Sequence, residues 1–433
     1  MTTAHSPSRA SDSTDAKRRG MASRVSEIFR EGVRDKVFWL RVAIAFGLLL
    51  SMIHSRRLWL SSPRFYPTVP VFGFLPAVPF PLDFALFAAM LILIAPLAFA
   101  KRPGRYVAAF LILAALLVLW DQSRLQPWFY QYALMLFALG IGARRGLEGE
   151  ARARALDACR LVVAAMYFWG GMQKLNYAFV HETLPIVLGR YAGVWPDGFR
   201  MLTETPAGLF IPLAEVLIGV GLLTRRFRSA AVAGALLTHA VVLLLYVPFW
   251  RNKVVWPWNA AMMAFVVILF WRDAGSYARE VLLGGRRASH ALVFLLFVVM
   301  PFFGLFGLWD AYLSASLYSG NTSSATFRLS ESVCRRMPPR SRRAAEVQGD
   351  GACLLHANRW SYAEMSVPFY PEPRIYRALA ARLCAEADAP SDVVLEISER
   401  PRLLDGTRRR VSLSCDDIGA SLKLADENSG ARP

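Results

Sequence analysis

AEVLIGVGLLTRRFRSAAVAGALLTHAVVLLLYVPFW, Ala214 to Trp250, sets two long apolar runs on either side of the basic loop TRRFRS. A connection this short joins antiparallel neighbours, so the stretch reads as a hairpin of two membrane-length helices with its arginines at the cytoplasmic face. Each helix carries one ionisable residue, Glu215 or His239. Both lie about eight residues inside the outer end of their run, which at 1.5 Å per residue is ~12 Å below the outer surface. Titratable groups at such depth are costly, and so point to function or to a specific structural pairing.

Outward from this hairpin the alternation continues. Apolar segments fall at 37–55, 82–100, 106–120, 128–143, 161–176, 207–223, 229–247, 254–271 and 288–307. The connectors KRPGR, RRGLEGEARAR, TRRFRS and RDAGSYAREVLLGGRR are basic, whereas DQSRLQPWFYQY, the 177–206 connector and VPFWRNKVVWPWN are aromatic and proline-rich. The positive-inside rule then predicts an all-α polytopic membrane bundle of about nine transmembrane helices, with the N-terminus cytoplasmic and the chain after the last segment outside. Composition agrees: 55% of the 433 residues are hydrophobic and the mean hydropathy is +0.34, too apolar for a soluble globule of this length. The net charge of +18 does not indicate nucleic acid, because residues 308–433 hold 17 Lys+Arg against 16 Asp+Glu and the excess sits among the apolar segments. It is read as topology and attraction to anionic lipid, with no nucleic-acid partner. No cleavable signal sequence is expected, since residues 1–36 are polar and the first apolar run is flanked by SRRLW. Arginine outnumbers lysine 44 to 6, a bias of GC-rich bacterial genomes, which makes the bacterial inner membrane the expected location.

Three regions follow. Residues 1–36 form a basic arm, expected to be disordered over 1–20 and to carry Val25, Ile28, Phe29 and Val33 at helical spacing; 37–307 form the transmembrane domain; 308–433 form an extracytoplasmic tail, with membrane lipid and a periplasmic protein as possible partners. Within the tail, EPRIYRALAARLCAEA has helical periodicity, and DVVLEISERP and RRRVSLSC read as strands around the turn LLDGT, so a small α+β domain is expected. LWDAYLSASLYSGN suits an interfacial segment leaving the membrane, and the sequon Asn321-Thr322-Ser323 is read as chance. Cys334, Cys353, Cys384 and Cys415 all fall in the tail, whereas Cys159 sits at a cytoplasmic helix end. Four exported cysteines predict two disulfides with three pairings open; none forms a CxxC, so structural staples are favoured over a thiol-redox role.

YFWGGMQKLN, Tyr167 to Asn176, ends the fifth segment with a lysine. Snorkelling to the headgroups would account for Lys174, but Gly170 and Gly171 allow close backbone approach beneath it and so turn it toward protein. The equal depth of Glu215 and His239 makes a contact between them available, either as a lock between helices or as a catalytic or ligand-binding pair. Outside, NYAFVHETLP supplies His181 and Glu182, and RNKVVWPWN brings Trp256, Trp258 and Asn259 to the start of the eighth segment, as an aromatic belt or as a binding wall. Taken together, Lys174, Glu215 and His239 are the candidate catalytic groups of a cavity open to the outer leaflet. Tyr167, Trp169, Asn176, His181, Glu182, Trp256, Trp258 and Asn259 are its candidate substrate contacts. The amine of Lys174, if neutral, would serve as a base. No metal is expected, since metal-ligand spacings, a Walker loop, GxSxG and a dinucleotide fingerprint are all missing from credible positions.

YFWGGMQKLNYAF resembles the Tyr-Phe-x-x-Gly-x-x-Lys-Leu-(Asp/Asn)-x-x-(Trp/Phe) stretch of the HTTM domain, the membrane unit of vitamin K-dependent gamma-carboxylase. The similarity runs on through AEVLIGVGLLTRRFR, with Glu215, and LLTHAVVLLLYVPFW, with His239, to VILFW, covering residues 160–272. A weaker similarity joins the chain to DoxX/MauE-type membrane proteins, linked with quinone and thiol redox chemistry. The resemblance implies that Lys174 occupies the position of the lysine that deprotonates vitamin K hydroquinone, and hence a quinone or quinol as ligand. Two features depart from the carboxylase: the loop WDQSRLQPWFYQY lacks the histidine of its Asn-His-Ser-Tyr setting, and its paired lysines are Gln173 and Lys174 here. The expectation is therefore a carboxylase-like cavity for a quinone-like or lipidic molecule, with oxidoreductase or carboxylase-like chemistry open. The competing expectation is a non-catalytic scaffold whose exported tail binds a periplasmic partner.

Overall fold

The computed structural model describes residues 35–141, 149–245, 252–273, 278–283 and 288–420. The helix expected within residues 25–33 lies outside them. Each of the nine apolar segments carries helix: Lys36–His54 (α1), Leu82–Phe99 (α2), Gly104–Trp120 (α3), Pro127–Ile141 (α4), Gly149–Met172 (α5), Phe210–Leu223 (α6), Arg228–Leu245 (α7), Val255–Phe270 (α8) and the consecutive turns Ala288–Phe294, Leu295–Val299 and Met300–Gly304 (α9). Among the described residues three helical spans are long and apolar enough to cross a membrane: Lys36–His54, Leu82–Phe99 and Pro206–Leu223. Gly104–Trp120, Arg228–Leu244, Val255–Phe270 and Ser289–Gly304 are apolar but shorter.

Local chemistry starts and joins these helices. Asp35 caps α1, its carboxylate accepting from the amides of Val37 and Phe38 at 2.9 and 3.2 Å. Leu40, Ile44, Leu48 and Met52 then recur every four residues on one face of α1 and are fully buried. The α5–α6 contact is the closest. A Cβ added at Gly171 would lie 2.5 Å from the Pro212 carbonyl oxygen, and one at Gly219 2.7 Å from the Phe168 amide nitrogen. Small residues on both helices therefore let the two backbones touch, as helices do in the absence of a hydrophobic drive between them.

The connectors gather at two ends. At one, Asp273 binds Lys36 at 3.0 Å and Arg160 at 2.8 Å, and its carbonyl accepts from Arg228 at 2.6 Å, while Asp35 pairs with Arg152 at 2.8 Å. At the other end sits the tail.

The tail is α+β. Ser324–Leu329 (β1), Glu346–Val347 (β2), Cys353–His356 (β3), Val393–Ser398 (β4) and Arg410–Leu413 (β5) form an antiparallel sheet in the order β2-β3-β1-β4-β5. Phe327 pairs with Leu355 on one side and Leu395 on the other. Alternation sets the faces: Ala325, Phe327 and Leu329 point inward with Val393, Leu395 and Ile397, under the helices Ala357–Met365 (α10) and Pro373–Cys384 (α11). The sequence reading found α11, β4 and β5; it missed the central strand β1, because the turn-forming SGN run before SATFRL reads as the end of the segment leaving the membrane. The disulfides are Cys334–Cys353 and Cys384–Cys415, which settles the open pairing, and Cys159 is free and buried.

The segment expected to be interfacial is packed between tail and bundle over much of its length. Tyr312, Ser314, Ser316, Ser319 and Asn321 are all buried. Trp360 of α10 is fully buried and meets the Tyr66 ring of the α1–α2 connector at 4.9 Å and Phe327 at 5.9 Å. Asp310 binds Arg374 and accepts from the Tyr370 hydroxyl at 2.7 Å. Arg400 donates to the Gly304 carbonyl at 2.6 Å and pairs with Glu372 at 3.1 Å. Burial raises the Glu372 carboxyl above its usual range, opposed by the Ala311 amide and Arg400.

Candidate functional site

Tyr167, Gly170, Gly171 and Lys174 follow one another at steps of three, one and three residues, which puts them on one face of the α5 helix and the turn that ends it. That face meets α6 and α7. Lys174 Nζ donates to Glu215 Oε2 at 2.6 Å, with 16% and 17% of the two side chains exposed. A Cβ on Gly170 would lie 3.5 Å from Glu215 Oε2 and 3.8 Å from Lys174 Nζ, so the ion pair rests over the glycine, one turn above Tyr167.

His239 reaches the same face lower down. Its Nε2 lies 2.5 Å from Tyr167 Oη and its Nδ1 2.6 Å from Asn259 Oδ1. The Asn259 amide nitrogen donates to the Val255 carbonyl at 2.6 Å. This last bond orders the others. A carbonyl only accepts, so the Asn259 atom facing Val255 is its NH2 and the atom facing His239 is its oxygen; Nδ1 then carries the proton, Nε2 accepts, and Tyr167 donates. The Tyr167 oxygen keeps a lone pair for another donor.

The contact between Glu215 and His239 that their equal depth made available is not formed: Glu215 takes Lys174, and His239 takes Tyr167 and Asn259. Depth is a property of each helix separately, whereas partner choice depends on which faces the crossing at Gly171 and Gly219 turns together. Lys174 likewise donates to a counter-ion rather than presenting a free amine.

The other candidates divide between helix packing and the tail junction. Trp169 is buried beside Phe168 at 5.0 Å and Phe302 at 6.5 Å. Trp258 Nε1 donates to Gln131 Oε1 at 2.8 Å, and Trp256 meets the His54 ring at 5.6 Å. Asn176 is a turn anchor: its amide donates to the carbonyls of Gln173 and Ser319 at 2.8 and 2.9 Å and its oxygen accepts from the Phe179 amide at 2.8 Å. The His181 ring lies tilted against Tyr177 at 4.0 Å, and Glu182 pairs with Arg408 of the tail at 2.8 Å. Asn176 and Glu182 thus hold the tail, and His181 packs on Tyr177, rather than surrounding the ion pair.

Sequence reasoning missed Gln173, Gln131, His54, Asn321 and Arg408 as contributors. Gln173 is fully buried, donating to the Pro301 carbonyl at 3.1 Å and accepting from Asn321 at 2.8 Å. A polar residue beside the motif lysine was the only local signal; its partners lie more than a hundred residues away in sequence. The described residues bring together no group of three or more His, Cys, Asp or Glu side chains able to hold a metal ion. No protein-family model, no curated protein and no solved structure matches this chain.

Proposed function

We propose that the chain is a polytopic inner-membrane protein of nine crossings with its tail outside, and that the ion pair and the tyrosine–histidine–asparagine chain receive the polar head of a quinone-like or other lipidic molecule from the outer leaflet. The observation that carries the reading is the stacking of Lys174–Glu215 over Tyr167–His239–Asn259 on one face of α5, an expensive set of polar groups in otherwise apolar helices. The two-ended arrangement of the connectors, with arginines and Asp273 at one end and the disulfide-bonded tail at the other, supports the membrane orientation.

The chemistry follows from the donors. A ligand hydroxyl can donate to Tyr167 Oη while Tyr167 passes its own proton to His239 Nε2, leaving the imidazolium held through Nδ1 by Asn259. Lys174 supplies positive charge for the oxygen that loses the proton, once the ligand competes with Glu215. The residue positions resemble those of the carboxylase membrane domain, with the proton acceptor moved from the lysine to the tyrosine–histidine pair.

The test is binding of a short-tailed benzoquinone to the purified protein, read by quenching of tryptophan fluorescence. Tyr167→Phe and Lys174→Met are each expected to weaken binding about tenfold, the loss of one good hydrogen bond in a desolvated site. Unchanged affinity in both variants would overturn the reading. The scaffold alternative expects silence at Lys174 and His239 together with loss of function when the tail is altered.

A further inference from the structure

The hairpin between β4 and β5 has a root and a tip of different character. Its root is bolted to the bundle: Arg400 donates to Gly304 at the end of α9, Arg408 to Glu182 and to the Thr322 and Gly320 carbonyls. The Tyr177 amide, just past the end of α5, donates to the Leu403 carbonyl at 2.9 Å. The turn is closed by Arg402 N to Thr407 O at 2.9 Å and by Gly406 at φ 70°, with the Tyr177 ring so close that a Cβ on Gly406 would come within 2.5 Å of it.

The tip is apolar and uncovered. Leu404 is 93% exposed and Leu403 36%, and on the helix ends that hold the hairpin Phe306 and Leu308 are 63% and 73% exposed and Tyr177 44%. Arg402 and Arg409 flank the tip, both exposed, with the Arg402 charge acting on Asp405. The tip's acid, Asp405, is turned onto the Thr407 amide and hydroxyl at 2.9 and 2.7 Å. Leucines at the point of a rigid turn, arginines at its shoulders and aromatic neighbours form the pattern that sits at a bilayer surface, apolar tips among the acyl chains and guanidinium groups on phosphates.

We propose that this hairpin is a membrane finger: Leu403 and Leu404 insert into the outer leaflet of the protein's own membrane, and Arg402 and Arg409 hold anionic phospholipid headgroups beside them. The proposal rests on the membrane reading above. The position follows from the fold, because the bond from Tyr177 and the bond to Gly304 fix the tip at the level where α5 and α9 end, which in a bilayer is the headgroup layer. The tail is thereby tied to the membrane at a second place, beside the residues that follow Lys174.

A single cysteine reports it, since the four tail cysteines are disulfide-bonded and Cys159 is buried. The full chain bearing Leu404→Cys is labelled with an environment-sensitive fluorophore and placed in nanodiscs of phosphatidylcholine with or without phosphatidylglycerol. Quenching by spin-labelled lipid and shielding from iodide are expected, in contrast to the same label at Asp350→Cys on the exposed β2–β3 turn. Phosphatidylglycerol should strengthen lipid quenching, and Arg402→Glu should remove that enhancement, by about fivefold for one arginine near the surface. Iodide access equal to that at Asp350 overturns the finger, and so does shielding from iodide without lipid quenching, which would mean a protein, such as a second copy, covers the tip. A label at Leu217→Cys on the exposed side of α6 separates the two failures: lipid quenching there but not at 404 refutes the finger alone, and quenching at neither refutes the membrane reading.

Discussion

Removing one partner of the Lys174–Glu215 pair should cost more than removing both. The two side chains are about five-sixths buried, with 16% and 17% exposed, and joined at 2.6 Å. Lys174→Met leaves the carboxylate of Glu215 against Gly170 and the α5 backbone without its cation, a situation that costs about 3–5 kcal/mol for a buried pair. The residual exposure places this case at the lower end, about 3 kcal/mol. For a chain of this size that corresponds to a fall in Tm of roughly 3–6 °C, scaling the usual relation between stability and melting temperature by length. Glu215→Leu should do the same from the other side. The double variant Lys174→Met/Glu215→Leu replaces the pair by two apolar side chains of similar volume and should return to within about 1 kcal/mol of the parent. Thermal unfolding in detergent, followed by tryptophan fluorescence, reads all four proteins. Quinone binding measured alongside should stay lost in the double variant although stability returns. If the two single losses simply add in the double variant, or neither single variant loses stability, the two groups are not coupled and the pairing is wrong.

Other expectations follow from the packing and the tail. Gly171→Leu should cost well over the ~1–3 kcal/mol typical of overpacking, because the first added carbon already meets the Pro212 carbonyl; a stable, fully active variant in a thermal assay would show that α5 and α6 can separate. Reduction of the tail disulfides should lower its stability by about 3 kcal/mol for Cys334–Cys353 and about 4 kcal/mol for Cys384–Cys415, from the loop lengths of 19 and 31 residues, read as faster proteolysis of the tail at fixed temperature. The amides of Ala389 and Asp388 hold the Asp392 carboxyl below its usual range. A carboxyl so lowered contributes stability above its unfolded value, and that contribution disappears as pH falls through the folded value, so the tail should loosen in acid and Asp392→Asn should blunt that dependence; a pH profile of amide exchange in β4 and β1 decides it.

Hydropathy and loop chemistry were legible because they are local. The nine apolar stretches each carry helix, and the α+β character of the tail could be read from α11, β4 and β5. The central strand β1 was not, since SATFRL, with Ser, Thr and Arg among its six residues, gains its identity from Cys353–His356 and Val393–Ser398 lying on either side of it. The candidate residues divide in the same way. Glu215 and His239 were picked for type and depth, Tyr167 and Lys174 from the YFWGGMQKLN stretch and Asn259 from the run opening the eighth segment; Lys174 meets Glu215, and His239 meets Tyr167 and Asn259. Asn176, His181 and Glu182 were picked for nearness in sequence to Lys174; Asn176 and Glu182 bind the tail instead and His181 packs on Tyr177, because α5 ends at Met172 and the chain after it turns under Ser319, Leu403 and Arg408.

By itself the amino-acid sequence determined which stretches are apolar enough to be helices, which connectors collect arginine, and that four cysteines share the C-terminal segment; each of these depends on composition and period within a few turns of chain. Tertiary structure alone decided that Lys174 takes Glu215 while His239 takes Tyr167 and Asn259, how the cysteines pair, and that the tail is seated on Gln173, Glu182 and Gly304. The reason is one of range: hydrogen bonds and ion pairs select partners over a fraction of an ångström, and that distance is set by how closely α5 and α6 approach at Gly171 and Gly219.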